Sequence, residues 1–138
     1  MTTPQPPRAA LATPANGMRF FVDGMPERPN ALRRAHWAVR SRDAKIFRAA
    51  SAAIAGDIVR QTPETFPIDP AVLFLTFVLA QARGDLDGLV AAAKPIVDGL
   101  KDAGVIVDDN VARVPRLVAQ WSRGTRIGVW VAVQRIDS

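Results

Sequence analysis

Residues 71–100 read AVLFLTFVLAQARGDLDGLVAAAKPIVDGL, and the change of period within them decides the fold. Ala71 to Ala80 is the longest apolar run in the chain. It is far shorter than the roughly 20 residues a bilayer span needs. Its β-branched and aromatic content predicts a buried strand. The run gives out at "ARGD", and the period then changes. Leu89, Ala92, Ala93, Ile96 and Leu100 recur at helical spacing and share one face. Pro95 either kinks that helix or opens its regular part at the first position. Gly104 is the expected C′ residue that closes it.

Working outward, Met18 to Gly24 (MRFFVDG) predicts a short strand ending in a glycine turn. A Pro-rich bend follows, and Asn30 is placed to cap what comes next. Ser41 reads as the N-cap of an amphipathic helix from about Arg42 to Arg60, with Asp43 favouring the dipole of its first turn. Ile46, Phe47, Ala50, Ala53, Ile54 and Ile58 mark its apolar face. Pro63, Pro67 and Pro70 predict a loop. After "VIV" (Val105 to Val107), "VPRLVAQWS" and "RIGVWVAVQ" predict two strands flanking "RGT", a candidate hairpin turn. The order β, α, β, α, β, β predicts an α+β fold: a small mixed sheet of four to five strands with two main helices packed on it. Residues 1–16 predict a disordered Pro-rich arm without a signal-peptide core, and 17–138 a single domain.

The 138 residues carry 18 Lys and Arg against 13 Asp and Glu, a net charge of +5, and no Cys. The absence of Cys removes disulfide and thiol chemistry and fits a reducing cytoplasm. Charge is unevenly placed. Residues 1–60 hold Arg8, Arg19, Arg28, Arg33, Arg34, Arg40, Arg42, Lys45, Arg48 and Arg60 against Asp23, Glu27, Asp43 and Asp57. Between 85 and 109 lie Asp85, Asp87, Asp98, Asp102, Asp108 and Asp109, opposed only by Lys94 and Lys101. A basic half beside an acidic focus suits a polyanion held around a metal-dependent site; a GC-biased genome, which inflates Arg and Ala together, accounts for the basic half equally well.

If the extended geometry of the strand continues, Asp85 and Asp87 point the same way with Cα atoms roughly 7 Å apart. Asp109 lies on a later loop that can turn back toward the strand end. Two carboxylates about 5 Å apart repel by roughly 3 kcal/mol at an effective dielectric near 20. Convergence of three therefore calls for a hard divalent cation, and oxygen ligands without His or Cys favour Mg²⁺ over zinc. Taken singly, each aspartate reads as a helix cap, a solvated helix position or a turn residue, the usual meaning of a bare D-x-D.

Taken together, "DLDG" (Asp85 to Gly88), "KPIVDGL" (Lys94 to Leu100) and "AGVIVDD" (Ala103 to Asp109) follow one another in an order that resembles the RusA-type Holliday-junction resolvases. The strand, Pro-containing bend, Asn30, "RRAHW" and Arg-rich helix fit the weaker N-terminal pattern. The resemblance spans nearly all the chain after the arm. It implies that Asp85, Asp87 and Asp109 hold Mg²⁺, with Mn²⁺ as the alternative, and that Lys94 is the active-site lysine. It implies a cytoplasmic homodimer, in a bacterium or phage-infected host, that cuts four-way or other branched DNA in recombination and repair. Family members carry Asn after the second acid, where this chain has Gly88, and a shorter spacing to the lysine. The alternative is therefore a catalytically impaired branched-DNA-binding protein of the same fold. The third reading is a non-catalytic interaction protein.

Arg33, Arg34, Arg40, Arg42, Lys45 and Arg48 are the candidate phosphate contacts, or else a solvated helix face. Asp98 and Asp108 are candidates to support the site from behind. The single histidine, His36, has no metal partner in sequence, and Trp37 reads as a core or dimer contact. If their strands pair across "RGT", Trp121 and Trp130 read as packing residues and not as a stacking platform. No membrane span and no organic cofactor are expected.

Overall fold

The computed structural model describes residues 17–25, 37–82 and 86–136. Its elements are β1 (Gly17–Asp23), α1 (Trp37–Gln61), a single 3₁₀ turn (Pro63–Thr65), β2 (Ala71–Leu79), α2 (Leu86–Asp102), β3 (Arg116–Arg123) and β4 (Gly128–Arg135). They make the mixed α+β fold expected: one four-stranded sheet with two helices packed against it.

The sheet order is β1-β4-β2-β3. β4 pairs antiparallel with both β1 and β2, and β2 pairs parallel with β3. β3 and β4, the expected hairpin, are thus not neighbours. β2, in which every residue except Phe74 is buried, lies between them. A strand this apolar would present apolar side chains and unpaired backbone groups to water at an edge. Inserting it between β3 and β4 satisfies both its faces and both its edges. Trp121 consequently falls on an edge strand and is 43% exposed, while Trp130 is buried on β4. The β3–β4 pairing on which a packing role for Trp121 was premised is absent. Trp121→Ser is expected to change stability by about 1 kcal/mol or less, which chemical denaturation would measure.

One sheet face carries Met18, Phe20 and Val22, Leu73, Leu75 and Phe77, and Val129, Val131 and Val133, in the strict alternation a half-covered sheet requires. Phe47 and Ala55 of α1 and Ala92, Ala93, Ile96 and Leu100 of α2 close over it. Fully removing a side chain such as Phe77 or Leu100 from water is worth about 1.5–3 kcal/mol. The opposite face has a different cover. Arg19 lies over the Trp130 ring at 5.4 Å, Arg116 over Phe74 at 6.0 Å and Arg126 over Phe21 at 5.2 Å. These are cation–π contacts, and a long arginine stem in such a position can cover apolar surface.

α1 begins at Trp37, so Ser41 sits inside the helix and is not its N-cap. Its alanine content supports helix through that region, and an interior serine costs too little to stop it. Ile46 is 61% exposed, and Ala53 also faces water. The buried stripe runs instead through Phe47, Ser51 and Ala55, flanked by Ala50, Ile54 and Ile58. Buried Ser51 is satisfied by donating from Oγ to the Phe47 carbonyl at 2.9 Å. α2 runs continuously through Pro95, and Leu89, Ala92, Ala93, Ile96 and Leu100 face the core as expected.

Gly104 ends α2. Its φ of +82° is left-handed, its N–H donates to the Lys101 carbonyl at 3.1 Å, and the Val105 N–H donates to Leu100 at 3.0 Å. This is a Schellman closure, and it turns the chain back on itself. Val105 and Ile106 are then buried but not in a strand. The Val105 carbonyl accepts from the Ile68 N–H at 2.7 Å, tying the turn to the proline loop. Among the described residues, no helix is long and apolar enough to cross a membrane.

Candidate active site

α2 acts as a ruler for the acidic region. Asp87, Lys94, Asp98 and Lys101 fall at spacings near whole turns, so they share one stripe of the helix. Asp87 is exposed in the first helical turn. Asp87 is helical and not extended, because α2 is already established at Leu86. Asp85 itself lies outside the described residues. Asp87 and Lys94 are about 10 Å apart along the axis at 1.5 Å per residue.

The loop after α2 comes back to this stripe. Lys94 Nζ donates to Asp98 Oδ1 at 2.9 Å and to Asp109 Oδ2 at 3.1 Å. The lysine therefore bridges its own helix and the loop. The loop is built to hold that pose. The Asp109 N–H donates to Asp108 Oδ1 at 2.8 Å, and Asn110 Oδ1 accepts from the N–H groups of Ala112 and Arg113 at 3.1 and 3.0 Å. Asp108 also pairs with Lys101 at 3.0 Å.

A second connection comes from α1. Arg48 grips Asp102 with both ends of its guanidinium, Nε to Oδ2 at 2.6 Å and Nη2 to Oδ1 at 2.8 Å, and its Nη1 lies 3.8 Å from Asp98 Oδ2. The helices meet closely enough for this because residue 99 is glycine. A Cβ there would lie 2.8 Å from the Arg48 carbonyl oxygen and 2.8 Å from Ser51 Cβ. The groups thus form one chain of alternating charge: Asp102, Arg48, Asp98, Lys94, Asp109.

The electrostatics follow from these contacts. Asp98, then Asp109, raise the Lys94 ammonium above its ordinary value, so it stays charged. Asp102 raises Arg48, and Arg48 lowers Asp102. The Lys101 hydrogen bond, followed by the Asp109 backbone N–H, lowers Asp108 from 3.8 to about 2. A carboxyl whose pKa falls on folding stabilises the fold above its unfolded value, and that contribution is lost as pH drops toward the folded one. Asp108→Asn is therefore expected to lower Tm slightly at neutral pH. The difference from the parent should close between about pH 4 and pH 2, read from melting curves across that range.

Of the residues expected to contact phosphate, Arg33 and Arg34 lie outside the described residues, as does His36, and the Arg40 backbone is in α1. Arg42 and Lys45 are exposed on α1. Arg48 is engaged with Asp98 and Asp102. The Arg48–Asp102 clamp is the feature that sequence reading missed. Its signal was there: Asp98 and Asp102, one turn apart, flank a glycine on a helix that must pack against another.

Among the described residues, no three Asp, Glu or His side chains lie close enough to hold a metal ion. With Asp85, the candidate set is Asp85, Asp87 and Asp109. Among the described residues, Asp87 has no hydrogen-bond or ion-pair partner, and Asp109 takes Lys94 on one oxygen only. Exposed carboxylate oxygens with capacity to spare are the donors that suit Mg²⁺, which keeps several waters. No protein-family model matches the chain, and no curated protein matches it.

Proposed function

We propose that the chain is a Mg²⁺-dependent, structure-selective endodeoxyribonuclease of the RusA-type Holliday-junction resolvase family. It hydrolyses phosphodiesters in four-way or other branched DNA during recombination and repair, working as a cytoplasmic homodimer. The observation that carries this reading is the Lys94 ammonium set between Asp98 and Asp109. "KPIVDGL" and "AGVIVDD" are separate in sequence, and their acid and base meet at one point.

When bound by Asp85, Asp87 and Asp109, Mg²⁺ (or Mn²⁺) supplies a Lewis acid and a water of lowered pKa. The chain's own groups contribute the rest. Lys94 keeps a positive charge beside Asp109, where negative charge gathers on the phosphoryl oxygens as the bond breaks. Arg42 and Lys45, exposed on α1, with Arg33, Arg34 and Arg40 before them, suit contacts to the DNA backbone that fix register without reading sequence. Each such contact makes binding fall with salt.

The test is a synthetic four-way junction incubated with the protein in Mg²⁺ and in EDTA, beside Asp85→Asn. Paired nicks that need the metal and vanish in the variant support the nuclease. Tight binding of the junction with no nicks supports a second reading, a catalytically impaired branched-DNA-binding protein of the same fold. Gly88 in the first turn of α2 favours that reading, because it stands where the family has Asn and offers no side chain to the site. No binding at all would defeat both.

A further inference from the structure

We propose that Arg48 is a positioning residue for Lys94, acting through Asp98, and not a contact to the DNA backbone. The inference rests on the nuclease reading for its catalytic consequence alone; the geometry stands without it. Arg48 reaches across from α1 and spends all three guanidinium nitrogens on α2: two on Asp102 and one toward Asp98. A planar fork held bidentately has a set orientation. Its third nitrogen therefore faces Asp98 from a defined side.

Asp98 is the least exposed carboxylate in the chain of charges. Its side chain is 20% exposed, against 33% for Asp109 and 41% for Asp102. It faces Arg48 through Oδ2 and Lys94 through Oδ1. Both oxygens are thus occupied, and the carboxylate cannot rotate without losing a cation. Lys94 is 65% exposed on a long flexible stem. Such a side chain has substantial rotamer entropy to lose on being held in one place. An i,i+4 carboxylate alone holds it weakly. A carboxylate itself locked by a second helix holds it better, and that places the ammonium at Asp109. The close approach at Gly99 is what brings the arginine within reach.

A phosphate contact and a positioning residue give opposite results when removed. The proteins to compare are the full chain, Arg48→Gln, Asp98→Asn and, as a reference, Arg42→Gln, each checked for folding by its melting curve. The direct readout is the ¹H–¹⁵N signal of the Lys94 ammonium, assigned by its loss in Lys94→Ala. The parent is expected to show slowly exchanging protons. Arg48→Gln and Asp98→Asn should each speed that exchange, and Arg42→Gln should not. Binding to a four-way junction across salt concentrations gives the second readout. Arg42→Gln should reduce the salt slope by about one, whereas Arg48→Gln should leave it unchanged. In the cutting assay, Arg48→Gln should lower kcat about 10-fold, as removal of a supporting partner does, with KM unmoved.

Loss of one unit of salt slope in Arg48→Gln, with the Lys94 signal intact, would overturn the proposal. So would an unaltered signal, slope and kcat. If the parent neither binds nor cuts junctions, the nuclease reading fails, and the ammonium signal still decides whether Arg48 positions Lys94.

Discussion

Asp109→Asn is expected to reduce metal-dependent cutting of a four-way junction by at least about 10²-fold, the scale on which losing one stabilising group in a preorganised site acts. The substitution keeps the shape and removes the charge. Asp109 is then a poorer ligand for a divalent cation and no longer an anionic partner for Lys94. The ammonium keeps Asp98 at 2.9 Å and loses its second anchor at 3.1 Å. Stability should change by about 0.5 kcal/mol or less, because Asn110 and the Asp108–Lys101 pair hold the loop beside the exposed Lys94–Asp109 contact. The informative combination is a normal melting curve with lost cutting. Activity within a few-fold of the parent would remove Asp109 from the site.

Gly99→Ala should act on the fold and the site together. The new methyl would lie 2.8 Å from the Arg48 carbonyl oxygen, 2.8 Å from Ser51 Cβ and 3.1 Å from the Ala52 nitrogen. Two of those atoms are backbone in the facing helix and cannot swing aside. α1 and α2 must separate, at a cost of about 1–3 kcal/mol for overpacking, even though alanine is the better helix former. A fall in Tm of roughly 4–10 °C follows for a domain of this size. The Arg48–Asp98 contact, the longest of the network at 3.8 Å, should be the first to break. Ammonium exchange at Lys94 should therefore quicken in this variant too. A Tm unchanged from the parent would mean that the helices do not meet at Gly99.

Much of this architecture was written locally. The ten residues from Ala71 showed a buried strand by their composition, and α2 showed its inner face by spacing, because both signals survive without knowledge of neighbours. Gly104 was legible for the same reason: a helix end with glycine has few alternatives. Pairing was not local. Which strands β4 joins is decided across the whole sheet, and "RGT" between two strands carries no trace of it. The start of α1 was misplaced because Ser41 offered a plausible cap, yet capping is weak beside a long run of favourable helix residues. At the candidate site, the resemblance implies that Lys94 and Asp109 serve one site, but their hydrogen bond is legible only in the structure. Arg48 was assigned by charge alone. Only the helix crossing reveals that its partners are carboxylates on the same chain.

The arginines laid over Trp130, Phe74 and Phe21 bear on how the protein's basicity should be counted. These cations serve as roofing for aromatic rings, much as a third layer of apolar residues would in another fold. Part of the chain's positive charge therefore lies on the sheet face opposite the helices. Lysine at Arg19 or Arg116 would conserve the arithmetic of charge and lose the flat cover. Net charge at neutral pH and shelter are separable properties here, and exchanging these arginines for lysine would show it as faster amide hydrogen exchange in the sheet at unaltered electrophoretic mobility at pH 7.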